Sequence, residues 1–143
     1  ALVADMRRAM DVNPEPTVPC NNDLLAANFI DDGQRIWLID YEYSGNNEAS
    51  FEIGNVWSES TLADPLLEEL VAAYWGELTE ARVARARLWA LMWKVGWTLW
   101  ASIQEAVSPI DFDYWGWGME KYDRAVAELR GPDLPRWLAV VTA

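Results

Sequence analysis

Residues 18–55 read VPCNNDLLAANFIDDGQRIWLIDYEYSGNNEASFEIGN, and the order of the acids and amides in this stretch decides how the rest of the chain is read. Asp23 is followed by four residues and then Asn28. A short apolar run, residues 35–39, then delivers Asp40, with Glu42 two positions on. Asn28-Phe29-Ile30, the turn Asp31-Asp32-Gly33 and residues 35–39 read as a β-hairpin, because Asp-Gly supplies the turn chemistry that tight hairpins need. Such a hairpin holds Asn28 at the start of one strand and Asp40 at the end of the other. Phosphoryl transfer leaves the protein little covalent work. It asks for one carboxylate beside the attacking hydroxyl and for hard oxygen ligands to magnesium. Asp23 suits the first task, and Asn28 with Asp40 the second. A D-x-x-x-x-N spacing alone would say little, since two turn caps give it by chance; the hairpin and Ile39-Asp40-Tyr41-Glu42 make the set specific.

Composition narrows the setting. The chain has 143 residues, 52% of them hydrophobic, which is one domain's worth of a globular protein. Twenty-three acids against 11 bases give a net charge of −12, which disfavours nucleic acid as a partner and suits a cationic ligand. The single cysteine, Cys20, excludes an internal disulfide and fits a reducing, cytoplasmic compartment. The most apolar stretch, residues 88–103, is interrupted by Lys94 and is shorter than the roughly 20 residues of a membrane span, so it reads as a buried or cleft-lining helix.

Around the central stretch the pattern is helical. Leu2, Met6 and Ala9 share one face until Asn13-Pro14-Glu15-Pro16 ends the first helix. Residues 44–50 read as a polar loop, and residues 51–59 as an apolar segment carrying Glu52 and Glu59. Asp64-Pro65 opens a helix, with Asp64 expected as its N-cap and Gly76 as its stop. The longest helix runs from Thr79 to about Val107, where Ser108-Pro109 ends it. Another spans about 111–130 before Gly131-Pro132, and residues 133–142 add a short terminal one.

Ten tryptophans need weighing. Core packing is the expected role of Trp37, Trp57, Trp75, Trp89 and Trp137. On the long helix Trp89, Trp93, Trp97 and Trp100 follow steps of four, four and three, so their indoles share one side. Trp97 and Trp100, with Trp117 and nearby Tyr114, suit an aromatic cage for a quaternary ammonium ion, each well-placed ring contributing about 0.5–2 kcal/mol.

The central stretch resembles the catalytic core of the choline/ethanolamine kinase branch of the aminoglycoside-phosphotransferase-like kinases, whose hallmark is close to H-N-D-L-x-x-x-N. The matching residues are Asn21-Asn22-Asp23-Leu24 with Asn28, then residues 38–43 (LIDYEY) and 51–55 (FEIGN). A third match comprises residues 99–104 (LWASIQ) and 110–114 (IDFDY). The resemblance covers residues 18 to about 129. It implies a mainly helical α+β architecture, the C-terminal lobe of a protein-kinase-like fold with a small catalytic β-hairpin. It further implies Asp23 as catalytic base, Asn28 and Asp40 on Mg2+ with Glu42 in support, and ATP as phosphoryl donor. Glu59 would approach the acceptor's cationic head, and Trp97, Trp100 and Trp117 would take the aromatic positions of a choline pocket. Gly116 and Gly118 are expected to disturb the helix around Trp117.

Two departures from the family pattern stand out. Asn21 occupies the place of the usual histidine, and an Asn amide can do part of that residue's loop-organising work. No glycine-rich loop or strand lysine precedes Val18, and the only lysines are Lys94 and Lys121. The resemblance therefore implies that residues 1–143 are one lobe, partnered by an N-terminal, nucleotide-clamping lobe of the same protein. The substrate so implied is choline or a similar amino alcohol. The alternatives are a non-catalytic module that binds a quaternary ammonium ligand, and a kinase for an aminoglycoside or other hydroxyl acceptor, which would call for a wider and more acidic site.

Overall fold

The computed structural model describes residues 2–143. They form a mainly helical α+β lobe: two small antiparallel hairpin-like sheets set against a bundle built on one long helix. Helix α1 (Leu2–Met10) buries Met6, Ala9 and Met10 and stops before Pro14. Strand β1 (Thr17–Cys20) is extended, as its flanking prolines require. Its partner is unexpected. Gly45–Glu48, read from sequence as loop, is strand β4, with Thr17 opposite Glu48 and Cys20 opposite Gly45. Gly-Asn-Asn-Glu has little intrinsic strand preference, so pairing across 25 or more residues overrides local propensity here. Pro19 is tolerated because a two-stranded sheet leaves β1 an open edge.

The expected hairpin is present as β2 (Phe29–Asp31) and β3 (Ile36–Leu38), with Phe29 opposite Leu38. Gly33 takes the left-handed conformation at φ +82°, and the carboxylates of Asp31 and Asp32 accept the N–H groups of Gly33, Gln34 and Arg35 at 2.8–2.9 Å. Trp37 is a correction to the core assignment. The residue is 46% exposed, with the Arg35 guanidinium 4.3 Å from the ring centroid and its indole N–H donating to Asp32 at 2.6 Å. A two-stranded hairpin has no second layer of its own to bury the ring.

Helix α2 (Ala49–Glu59) packs on the long helix α4 (Glu80–Val107) at Gly54, where a Cβ would meet the Ala86 carbonyl oxygen at 2.2 Å. Thr79 caps α4, its hydroxyl accepting the Arg82 N–H at 3.3 Å. Between them runs α3 (Asp64–Trp75), which ends at Gly76 with φ +74°. Ala63, rather than Asp64, takes the cap position of α3. Asp64 lies in the first turn, where a negative charge meets the positive end of the helix, and it pairs with Arg87 at 3.2 Å. Helix α5 (Tyr114–Leu129) runs back along α4, and α6 (Leu134–Thr142) closes the bundle over Met6, Met10, Leu88, Leu91, Trp137 and Val141. Trp57, Trp75 and Trp89 are partly buried against the cores.

Two glycine expectations change. Helix α5 is unbroken through Gly116 and Gly118, because Asp113 caps its first turn and accepts the Gly116 N–H at 2.7 Å. Gly118 is a contact point: a Cβ there would lie 2.6 Å from that of Ala101, so its absence lets α5 settle onto α4. Among the described residues no helix is long and apolar enough to cross a membrane.

Candidate functional site

The loop between β1 and β2 is held by amides. Asn21 is buried, and its side chain bridges two chain segments: Nδ2 donates to the Asp40 carbonyl at 2.8 Å, while Oδ1 accepts the Asp23 N–H at 2.9 Å. Asn22 adopts φ +65°, one of the few conformations where Asn is favoured over most residues, and its N–H donates to Glu52 at 2.7 Å. The Leu24 N–H is taken by Asn55 Oδ1 at 2.7 Å, which anchors the loop to α2. Three stretches of the loop, at Asn21, Asn22 and Leu24, are thus each hydrogen-bonded to a segment outside it. The framing role of Asn22, Glu52 and Asn55 was not read from sequence, where only the motif string marked them.

Asp23 is held at the centre of this frame. It is 7% exposed, the Asn28 amide donates to its carbonyl at 2.8 Å and reaches its carboxylate at 3.4 Å, and Oδ1 is buried with no hydrogen-bond partner. Burial pushes its carboxyl above the ordinary carboxylate range, and the charge of Asp40 pushes the same way. The Asn28 bond works against this, while Glu42 and Glu59 add further repulsion. Such a raised carboxyl beside a cavity is a frequent property of a proton acceptor in a site. Asp40 follows β3 at φ +61°, unusual for a residue with a Cβ, and is pinned there by Asn21.

The residues suit a magnesium ion with bound phosphates better than a closed protein cage. Asn28 spends its N–H2 on Asp23, which leaves its carbonyl oxygen for a cation, and Asp40 and Glu42 supply carboxylates. Among the described residues no three His, Cys, Asp or Glu side chains are gathered closely enough to hold a metal by themselves. Magnesium is commonly held by one or two carboxylates together with substrate phosphates and water, and an all-oxygen donor set is the kind it takes.

Beside the acids opens a cavity of about 380 Å³, lined by Asp23, Glu42 and Tyr43 on one side and by Trp97, Trp100, Tyr114 and Trp117 on the other. Leu25, Ile110 and Phe112 complete the wall. The last two lie in the loop between α4 and α5, which has no periodicity to signal that it lines anything. The aromatic rings meet edge to face: Trp97 to Trp100 at 5.5 Å, Trp97 to Trp117 at 5.8 Å, Trp100 to Trp117 at 5.9 Å and Trp100 to Tyr114 at 5.7 Å between centroids. Glu59 is not part of this wall. Its side chain, 2% exposed, pairs with Lys121 at 2.8 Å, and Lys121 in turn lies 5.0 Å from the centre of the Trp117 ring.

The sequence profile of the family described as choline/ethanolamine kinase matches residues 1–69. The solved structure of a choline/ethanolamine kinase family protein from Mesorhizobium loti superposes with a TM-score of 0.89 over 97% of the chain, at 32% identity. The chain belongs to the choline/ethanolamine kinase family. Within that family it is 30% identical over 141 residues to a probable ethanolamine kinase of Arabidopsis thaliana, a match covering 85% of the chain and 38% of the relative. Choline kinase LicA from Streptococcus pneumoniae superposes with a TM-score of 0.76, at 25% identity, over 90% of the chain. The chain thus spans well under half the length of the curated relative it matches, and 48% and 45% of the two solved chains. The mainly helical lobe with its small hairpin is the helical, C-terminal lobe of the kinase-like fold that these proteins share.

Proposed function

We propose that this chain is the catalytic and acceptor-binding lobe of a kinase that transfers the γ-phosphoryl group of ATP to the hydroxyl of a small cationic alcohol, choline or ethanolamine in type. The observation that carries the reading is the single cavity in which the buried Asp23 carboxylate faces a wall of indoles. An alcohol whose ammonium rests against Trp97 and Trp100 has its hydroxyl a few bonds away, which puts the reacting end at the acidic side. Asp23 would orient that hydroxyl and take its proton. Its raised carboxyl makes it a better proton acceptor than an exposed aspartate, and the like charges of Asp40 and Glu42 strengthen this. Asn28 and Asp40, with Glu42 in support, would hold Mg2+, which when bound neutralises charge on the phosphates. Asn21 would keep Asp23 and Asp40 in fixed relation, so an amide does here the organising work of the family's usual histidine.

The nucleotide's phosphates need a clamp. Both lysines of this chain are buried in ion pairs, Lys94 with Glu128 and Lys121 with Glu59, and neither is free to reach a phosphate. This supports placing the glycine-rich loop and phosphate-binding lysine in an N-terminal lobe outside residues 1–143, with the reaction in the cytoplasm, where MgATP is supplied. The lining of the cavity, mostly aromatic and with Asp23 and Glu42 as its two carboxylates, favours an amino alcohol over an aminoglycoside, whose several ammonium groups call for a more acidic site.

The test is a phosphotransfer assay on the complete enzyme with a panel of amino alcohols, comparing wild type with Asp23→Ala. Turnover should fall by about 10²–10⁴-fold while acceptor affinity holds. Near-normal turnover in the variant would remove Asp23 from the role of base. The isolated 143-residue chain is expected to show no phosphotransfer at enzyme rates.

A further inference from the structure

We propose that Lys121 sets the charge which the acceptor meets at Trp117: by pairing with Glu59 and lying against that ring it makes this part of the aromatic wall electrically neutral. Discrimination between charged and uncharged alcohols is left to Trp97 and Trp100 and to the carboxylates of Asp23 and Glu42 that line the same cavity. The inference rests on the acceptor reading given above.

Trp117 and Lys121 are one helical turn apart on α5, on the same face. The ammonium of Lys121 sits 5.0 Å from the Trp117 ring centre, a distance at which the ring's negative face attracts a cation. The same ammonium is 2.8 Å from Glu59 at the last turn of α2, and the two side chains are 7% and 2% exposed. Arg124 Nη2, donating to the Ser58 carbonyl at 3.4 Å, ties that end of α2 to α5 beside the pair. Two electrostatic consequences follow. A carboxylate closely paired with an ammonium presents a dipole to its surroundings, and attraction to a dipole fades with distance much faster than attraction to a lone charge. A ring whose π electrons already hold one cation offers less to a second, and the two cations repel. Among the described residues Trp97 and Trp100 have no such partner; their ring neighbours are other aromatics. The aromatic wall therefore has two electrostatically unlike parts, Trp97 and Trp100 able to recognise a quaternary ammonium and Trp117 built to be indifferent to it.

A role in packing alone makes a different prediction from a role in charge, and single variants separate them by sign. Calorimetry with choline and with its uncharged isostere 3,3-dimethylbutanol gives a preference ratio for each protein. Lys121→Met frees Glu59 and the Trp117 face, and should raise the ratio by about tenfold, the equivalent of one further effective cation–π contact. Glu59→Gln leaves the Lys121 charge unbalanced behind the wall and should lower the ratio. The double variant removes both charges without stranding either, so it keeps the comparison usable where a single variant fails to fold; its ratio should exceed that of wild type by about threefold. Both singles moving the ratio in the same direction, or a double variant with the wild-type ratio, would overturn the proposal while leaving the acceptor reading intact. Failure of every protein to bind choline would overturn the acceptor reading and this proposal with it.

Discussion

Helix α4 carries two pairs of tryptophans on one side, and the pairs have different fates. Trp89 and Trp93 close on the buried ring of Phe51 at 5.5 and 5.1 Å, and the Trp89 indole N–H donates to Glu48 at 2.7 Å. That half of the stripe is core. Trp97 and Trp100 continue the same stripe, yet they line the cavity beside Asp23. Periodicity puts all four on one side; what they meet is decided by the neighbouring element. Helix α2 presents Phe51 to the first pair and fills the space. The second pair meets Trp117 and Tyr114 of α5, and with residues 110 and 112 of the preceding loop these rings line an open cavity. A tryptophan stripe is thus neither core nor site until its partner is known.

The sharpest way to break this contrast is to empty the packed half. Phe51→Ala removes a ring that is 2% exposed and in edge contact with two indoles, and should cost about 3–5 kcal/mol of stability. Chemical denaturation measures that loss. Acceptor affinity of the folded fraction should hold, since Phe51 lines no part of the cavity. A parallel collapse of choline binding would show that the two halves are one unit.

A second variant acts on the junction between them. Gly118→Ala gains helix propensity, about 1 kcal/mol, but its methyl would meet Ala101 at 2.6 Å. The overpacking should outweigh the gain, for a net loss of about 1–2 kcal/mol, and should shift Trp117 off Trp97 and Trp100. A more stable variant would mean that α5 can move away from α4 freely. Reduced choline affinity is the expected companion, read by calorimetry.

The same contrast explains what could be read from the sequence. The hairpin, the start of the long helix at Thr79 and the Gly76 stop were legible because turn and helix-end chemistry is local. Asp23, Asn28 and the tryptophans were singled out by spacing and by resemblance. The β1–β4 pairing was not legible, because Gly45-Asn46-Asn47-Glu48 becomes a strand only through contact with a distant segment. Nor was the pairing of Glu59 with Lys121, residues 62 positions apart, although both appear in the sequence as ordinary charges. The exposure of Trp37 was missed for the complementary reason: a β-hairpin signal says nothing about whether a second layer covers it.

Trp100→Leu probes the open half with a smaller effect. Leucine fills much of the space without a π face, so stability should change by less than about 1.5 kcal/mol while the preference for choline over 3,3-dimethylbutanol falls by about 1 kcal/mol. Calorimetry with both ligands reads the difference. Loss of affinity for both ligands alike would reduce Trp100 to a space-filling wall, and would make the open half of the stripe resemble the packed half.

The smallest effect concerns the acid at the open end, and its sign is the informative part. Asp23 is buried, one of its oxygens has no partner, and its folded-state carboxyl is raised above the ordinary 3.8. A group whose folded value is raised gives its full stabilisation below its unfolded value, and loses it as pH rises through the folded value. At neutral pH the wild type therefore carries the cost of a buried, repelled charge, whereas Asp23→Asn keeps the shape and the neighbourhood of Asn28 without that charge. The variant should be inactive and more stable by about 1 kcal/mol at pH 7. Lowering the pH through the raised value should close the gap, and below about pH 4 the two proteins should unfold together. Comparing their thermal midpoints across this range cancels the acids that do not interact with Asp23, so what remains is the titration of Asp23 together with the neighbours that repel it, Asp40, Glu42 and Glu59. A stability gain that persists unchanged at low pH would mean the charge of Asp23 is not what strains the open end. A variant less stable at every pH would mean that the Asp23 carboxylate is held by stronger bonds than the single Asn28 contact at 3.4 Å.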